Sequence, residues 1–208
     1  MKHPQHIVAF RKASFPLPPG ISPINISEFI DAATGALFIG RRHELENNDE
    51  FGQALPYIVV RQGGHVFSYR RTKMVGEERL IGMRSIGIGG HVDLTDVRYS
   101  IDSVINVVTT FAGAIARELE EELQFNDPEG AALTFAQLGI VPTVIGMIND
   151  TSDPVGQVHY GILLLLDLPH GFTCRVKEEE LQGEGFIDPA TIEGCESWTK
   201  LTIEYLKK

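Results

Sequence analysis

The chain has 208 residues, of which 43% are hydrophobic, so it can bury a sizeable core, and global disorder is argued against. Its formal net charge of −10 speaks against a nucleic acid polymer as partner, because such binding needs a basic surface. It leaves room for a nucleotide whose phosphates are neutralised locally by metal. The two cysteines, Cys174 and Cys195, form no C-x-x-C pattern and read as free thiols in a reducing compartment. Residues 1–12 lack the apolar stretch and cleavage site of a secretion signal, and the longest apolar run, residues 162–166, is too short to span a bilayer. The expectation is a soluble, cytoplasmic protein with no membrane partner.

Residues 1–24 are polar and then proline-rich, which predicts an arm lying over the surface. A short helix is expected over 27–33, a strand or turn over 35–42, and an acidic loop over 44–50. The main fold is expected to start near residue 55, with residues 1–52 as an N-terminal extension packing on a domain of residues 53–208. Residues 55–60 and 65–70 alternate around Gln62-Gly63-Gly64 and predict a β-hairpin. Arg70, Arg71 and Lys73 cluster at its end. Next come Gly87, Gly89 and Gly90, three glycines in four residues, followed by His91. Glycines so spaced permit a tight turn or a close approach of backbone to a ligand.

A helix is predicted over 103–124, capped by Asp102 or Ser103. Ala112, Ile115, Ala116, Leu119 and Leu123 supply a buried stripe at helical spacing. Glu118, Glu121 and Glu122 then fall at i, i+3 and i+4, pointing away from that stripe. Like charges so placed repel each other, and a hard divalent cation reverses the sign. Taken alone, such a run is by default a solvated helix face. Beyond it, strands are expected over 138–147 and 157–168, a polar loop over 149–156, a charged loop at Glu178, Glu179 and Glu180, and a final helix over 197–206. In that helix Trp198, Leu201 and Tyr205 should face partly inward.

The segment Arg117-Glu118-Leu119-Glu120-Glu121-Glu122-Leu123-Gln124-Phe125, downstream of Gly89-Gly90-His91-Val92-Asp93, resembles the signature of the Nudix (MutT-like) hydrolases. That signature runs from a glycine through a first glutamate to Arg-Glu-U-x-Glu-Glu-x-Gly-U, with U bulky and aliphatic. The resemblance covers roughly residues 55–206. Three departures stand out. Gln124 occupies the place of the usual glycine. Thirteen extra residues separate Gly90 from Arg117, and Thr109 stands where the signature has its first glutamate. Residues 85–91 and 148–161 also resemble a branch of MutT-type phosphoesterases.

The resemblance implies an α/β (α+β) fold with a mixed β-sheet sandwiched between helices. It implies hydrolysis of a pyrophosphate bond in a nucleoside diphosphate linked to another moiety. The metal, Mg²⁺ or alternatively Mn²⁺, would be held by Glu118, Glu121 and Glu122 with the carbonyl of Gly90. Arg117 would orient Glu121, and Glu118 would serve as general base, with Glu179 or Glu180 as the alternative. Arg70, Arg71, Lys73, His91, His159 and Glu180 are the candidate substrate contacts. Surface charge at a strand end and structural histidines are the plain alternatives for the first three and for the histidine pair. A non-catalytic nucleotide-binding or regulatory module on the same fold is the competing reading. The N-terminal extension is a candidate dimerisation element.

Overall fold

The computed structural model describes residues 5–72, 80–177 and 181–207. The chain is an α+β protein with a large mixed sheet, a separate three-stranded sheet and, among the described residues, six helices. In chain order the elements are β1 (His6–Arg11), β2 (Gly20–Pro23), α1 (Ile26–Ala33), β3 (Leu37–Arg41), α2 (Arg42–Leu45), β4 (Phe51–Gln62) and β5 (His65–Arg71). There follow β6 (Arg84–Ser85), β7 (Gly87–Ile88), α3 (Val107–Glu122), β8 (Leu123–Asn126), β9 (Ala132–Leu133) and α4 (Phe135–Leu138). The chain closes with β10 (Thr143–Asn149), α5 (Pro154–Gln157), β11 (His159–Asp167), β12 (Thr173–Val176), β13 (Leu181–Ile187) and α6 (Ser197–Leu206). These elements fall into two compact units, whose boundaries lie within β4, α3 and β11.

The first unit comprises Met1–Tyr57, Gly90–Ile115 and Val144–Leu164. The expected N-terminal arm is instead a strand here. β1 pairs antiparallel with β3 and with the start of β4, Phe10 lying opposite Leu37 on one side and Gly52 on the other. Ile7, Val8, Ala9 and Phe10 are all fully buried. A strand covered on both faces shows no alternation, which is why its pattern reads as featureless. β2 pairs with β10, and Asn25 caps α1 through a capping box with Glu28. The acidic stretch at 44–50 is partly helical, since α2 takes in Glu44 and Leu45. The aromatic centre of this unit is Phe10, with Phe15 at 5.2 Å, Tyr160 at 5.9 Å and Phe29 at 6.4 Å between ring centroids.

The second unit comprises Ile58–Gly89, Ala116–Thr143 and Leu165–Lys208. Its hairpin is the expected one: Arg61 pairs with Val66 and Gln62 with His65 across Gly63 and Gly64, both with positive φ. β13 lies on the other side of β5, β6 also pairs β5, and β7 pairs β4. The small sheet runs β12-β8-β9. Helix α6 occupies the predicted residues, but its most buried side chains are Thr199, Thr202 and Ile203, while Trp198, Leu201 and Tyr205 are half-buried.

Between β5 and β6 the sheet is pinned by a three-residue ion cluster. Glu184 Oε1 accepts from Arg70 Nε at 2.7 Å, and its Oε2 accepts from Arg84 Nε at 2.8 Å. Burial works against the charge on Glu184, but the bonds from Arg84 and Arg70 outweigh it and hold its pKa below the usual value. A depressed carboxylate pKa gives stability that is complete above the unfolded-state value and is lost as pH falls through the folded one. Glu184→Gln is therefore expected to cost about 2 kcal/mol at neutral pH and progressively less as pH falls, read as urea-unfolding midpoints over a series of buffers from pH 7 downward. A loss that does not change with pH would count against the ion cluster.

Cys174 sits on β12 opposite Phe125. Burial pushes its thiol up to about 12. At pH 8 only about one molecule in ten thousand carries the thiolate. Iodoacetamide is expected to leave Cys174 unlabelled in the native protein and to label it after unfolding, as read by peptide mass spectrometry.

Candidate functional site

Helix α3 starts four residues later than its sequence suggests. Ser103 adopts φ of 60° and cannot begin a helix. Asn106 caps instead, its Oδ1 accepting from the Thr109 amide at 3.1 Å. The buried stripe is also rotated from the expected one: it runs through Val107, Thr110, Phe111, Ala114, Ile115, Glu118 and Leu119, while Ala112 is exposed. The rotation places Glu118 on the inward face, not away from it.

A buried carboxylate needs a partner, and Arg117 provides one. Its Nη1 donates to Glu118 Oε1 at 2.7 Å and to Glu121 Oε2 at 3.2 Å. The two carboxylates differ sharply in exposure, with side chains 8% and 57% accessible. One guanidinium thus joins a sequestered acid to a solvated one. Glu122, at the end of α3, acts electrostatically on Tyr69 and Arg71. Tyr69 is fully buried and donates to Gly87 O at 2.7 Å, and burial, followed by the charge of Glu122, pushes its pKa well up. Burial disfavours charge on Arg71 as well, but Tyr69, Glu196 and Glu122 outweigh it and raise its pKa. Arg71 Nε donates to Glu196 Oε1 at 2.7 Å.

The second unit therefore brings together Arg117, Glu118 and Glu121, and sets Arg71 within the field of Glu122. Arg70 is bonded instead to Glu184 and to Gly82 O. Lys73, Glu178, Glu179 and Glu180 lie outside the described residues. Glu196 and Tyr69 are missed by sequence reasoning. The Arg71–Glu196 pair joins residues 125 positions apart, and no local pattern announces it.

In the first unit, Gly90 opens the stretch that carries His91. His91 Nε2 lies 2.9 Å from Gln53 Oε1 and 3.3 Å from His159 Nε2. His159 Nδ1 donates to Val155 O at 2.6 Å. Burial, then Arg42 and His159, pull the pKa of His91 down to about 3, so its ring is neutral across the physiological range. The sequence thus selects the two histidines, and the structure brings them into contact.

The donor set on α3 is all carboxylate oxygen, which suits a hard divalent cation. Among the described residues, however, no group of three His, Cys, Asp or Glu side chains converges on one point. Among them, too, no helix is long and apolar enough to cross a membrane.

No family model matches the chain. Protein YmaB of Bacillus subtilis (strain 168) is 32% identical over 173 residues, covering 80% of this chain and 77% of YmaB. The chain belongs to the YmaB family. Among solved structures, this YmaB-family chain matches Tm1382, a protein whose assignment as a Nudix hydrolase is provisional. The TM-score is 0.69 with 23% identity, covering 97% of both chains. This chain accordingly has the same fold as Tm1382, the Nudix fold. A MutT Nudix hydrolase from Burkholderia pseudomallei also aligns, with a TM-score of 0.39 and 15% identity over 74% of this chain and 96% of its own, too weak to carry argument.

Proposed function

We propose that this protein is a Mg²⁺- or Mn²⁺-dependent hydrolase of a pyrophosphate bond in a nucleoside diphosphate linked to another moiety. The observation that carries the reading is the Arg117 bridge between buried Glu118 and exposed Glu121 on α3. Glu118, Glu121 and Glu122 would hold the cation, which supplies neutralisation of the diphosphate and a more acidic water when bound. Arg117 fixes the direction of Glu118 and thereby its suitability as general base, because a base must lie within hydrogen-bond reach of the proton it takes. The hairpin-end arginines Arg70 and Arg71 are the proposed phosphate contacts; each is also bonded to one carboxylate, Arg70 to Glu184 and Arg71 to Glu196.

The test is phosphate release across nucleoside triphosphates, dinucleoside polyphosphates, nucleotide sugars and ADP-ribose, each with Mg²⁺ or Mn²⁺. The expected result is metal-dependent turnover of at least one class. A second reading, a nucleotide-binding or regulatory module without catalysis, is favoured by Gln124 in place of glycine and by the thirteen extra residues between Gly90 and Arg117. Tight nucleotide binding with no turnover across the whole panel would decide for it.

A further inference from the structure

Residues of the first unit converge on a point that the carboxylate reading does not use. Gln53 comes from β4, His91 from the irregular segment after Gly89-Gly90, and His159 from the first position of β11. Backbone bonds hold the three segments in register: the Gln53 amide donates to Val158 O at 2.8 Å and the Val92 amide to Ala54 O at 3.2 Å. His91 Nε2 meets both of the other side chains there, Oε1 of Gln53 at 2.9 Å and Nε2 of His159 at 3.3 Å.

We propose that Gln53, His91 and His159 form a binding site for a divalent transition metal ion of the zinc class. Three observations support it. A four-coordinate ion with metal–nitrogen bonds of about 2.0–2.1 Å sets two ligand nitrogens about 3.3–3.4 Å apart at the tetrahedral angle. The two Nε2 atoms stand 3.3 Å apart. Secondly, His159 donates its other ring nitrogen to the carbonyl of Val155. That is the outer bond a metal-ligating histidine ordinarily makes, and it leaves the Nε2 lone pair facing inward. Thirdly, Gln53 is wholly buried, and of its two amide atoms it is Oε1, 2.9 Å from His91 Nε2, that has a partner at this point.

Imidazole nitrogen suits zinc, copper, nickel and iron, whereas magnesium prefers oxygen, so this site and the carboxylates of α3 select different ions. Without metal, the acceptors around His91 place its ring hydrogen on Nε2. On binding, that hydrogen leaves Nε2 and Nδ1 takes one up, so the ring stays neutral and no net proton is released. Arg42, whose Nε donates to Glu46 Oε1 at 2.9 Å, bears on His91 and works against positive charge there. The ion would clamp β4, the segment after Gly90 and β11 to one another within the first unit.

The test uses the full chain, freed of metal by a chelator and given one equivalent of Co²⁺. Expected are the visible d–d bands of a nitrogen-coordinated ion of low coordination number, erased by Zn²⁺ and unaffected by excess Mg²⁺. His91→Gln and His159→Gln should each weaken Co²⁺ binding more than about a hundredfold, beyond the loss of an outer partner alone. Glu121→Gln should bind Co²⁺ as the parent does. Absence of bands in the parent protein would overturn the proposal. So would bands that survive in both histidine variants, or that vanish in Glu121→Gln. Hydrolytic activity plays no part in the readout, so this site and the proposed reaction can fail separately.

Discussion

Replacing Glu121 by Gln is expected to lower metal-dependent phosphate release by about a hundredfold or more, with the melting temperature unchanged. The position is chosen for its exposure. The Glu121 side chain is more than half accessible and its contact with Arg117 is 3.2 Å, an exposed pair whose loss costs well under about 1 kcal/mol. The substitution removes a charge from the site while keeping shape and hydrogen-bonding capacity. The same change at Glu118 is less informative, because it strips a buried carboxylate from Arg117 and should cost about 2 kcal/mol of stability besides. Glu122→Gln would also alter the balance of charge around Tyr69 and Arg71. Steady-state kinetics with thermal unfolding on the same samples separates the effects. Parental turnover in Glu121→Gln would remove Glu121 from the mechanism, and parental turnover in Glu122→Gln as well would sink the proposed reaction.

Gly52→Ala is expected to destabilise the protein by about 3 kcal/mol. A Cβ at this position would lie 2.7 Å from Cγ of Tyr160 and 3.0 Å from both Cδ atoms. The ring has nowhere to go: Phe10 and Phe15 pack against it, and Lys12 Nζ lies 5.4 Å from its centroid. Overpacking of this kind strains rotamers or shifts backbone, since a packed interior has little slack. Gly113→Ala is the control. There the nearest atom to an added Cβ is Asp96 O at 3.7 Å, an ordinary contact, and Gly113 lies inside α3. Alanine should stabilise that helix by up to about 1 kcal/mol. Urea-unfolding midpoints at constant slope would report both changes. A Gly52→Ala midpoint equal to the parent's would show that the aromatic cluster yields freely.

The extent to which the chain is readable follows from where each element finds its partner. The β4–β5 hairpin and α6 are visible in sequence because their signals are local: a two-glycine turn between strands, and apolar spacing after a loop. β1 and β2 are hidden. β1 is buried on both faces and lacks alternation, and β2 pairs with a strand remote in sequence. The inward turn of Glu118 is hidden for a different reason. Periodicity assigns charged residues to solvent, and only the neighbouring guanidinium makes burial tolerable. The histidine pair shows the limit from the other side. Its members, 68 positions apart, can be picked out individually, but their convergence depends on strand register.

The pairing of β2 with β10 has a consequence for biosynthesis. Gly20–Pro23 leaves the ribosome early, and Gly146–Asn149 follows more than 120 residues later. At about 5–20 residues per second, the first strand waits on the order of ten seconds for its partner. Until residues 144–164 are made, the first unit cannot close, and the Phe10 cluster lacks Tyr160. Nascent chains stalled before residue 144 should therefore present their aromatic segments to holding chaperones, and chains released beyond residue 164 should not.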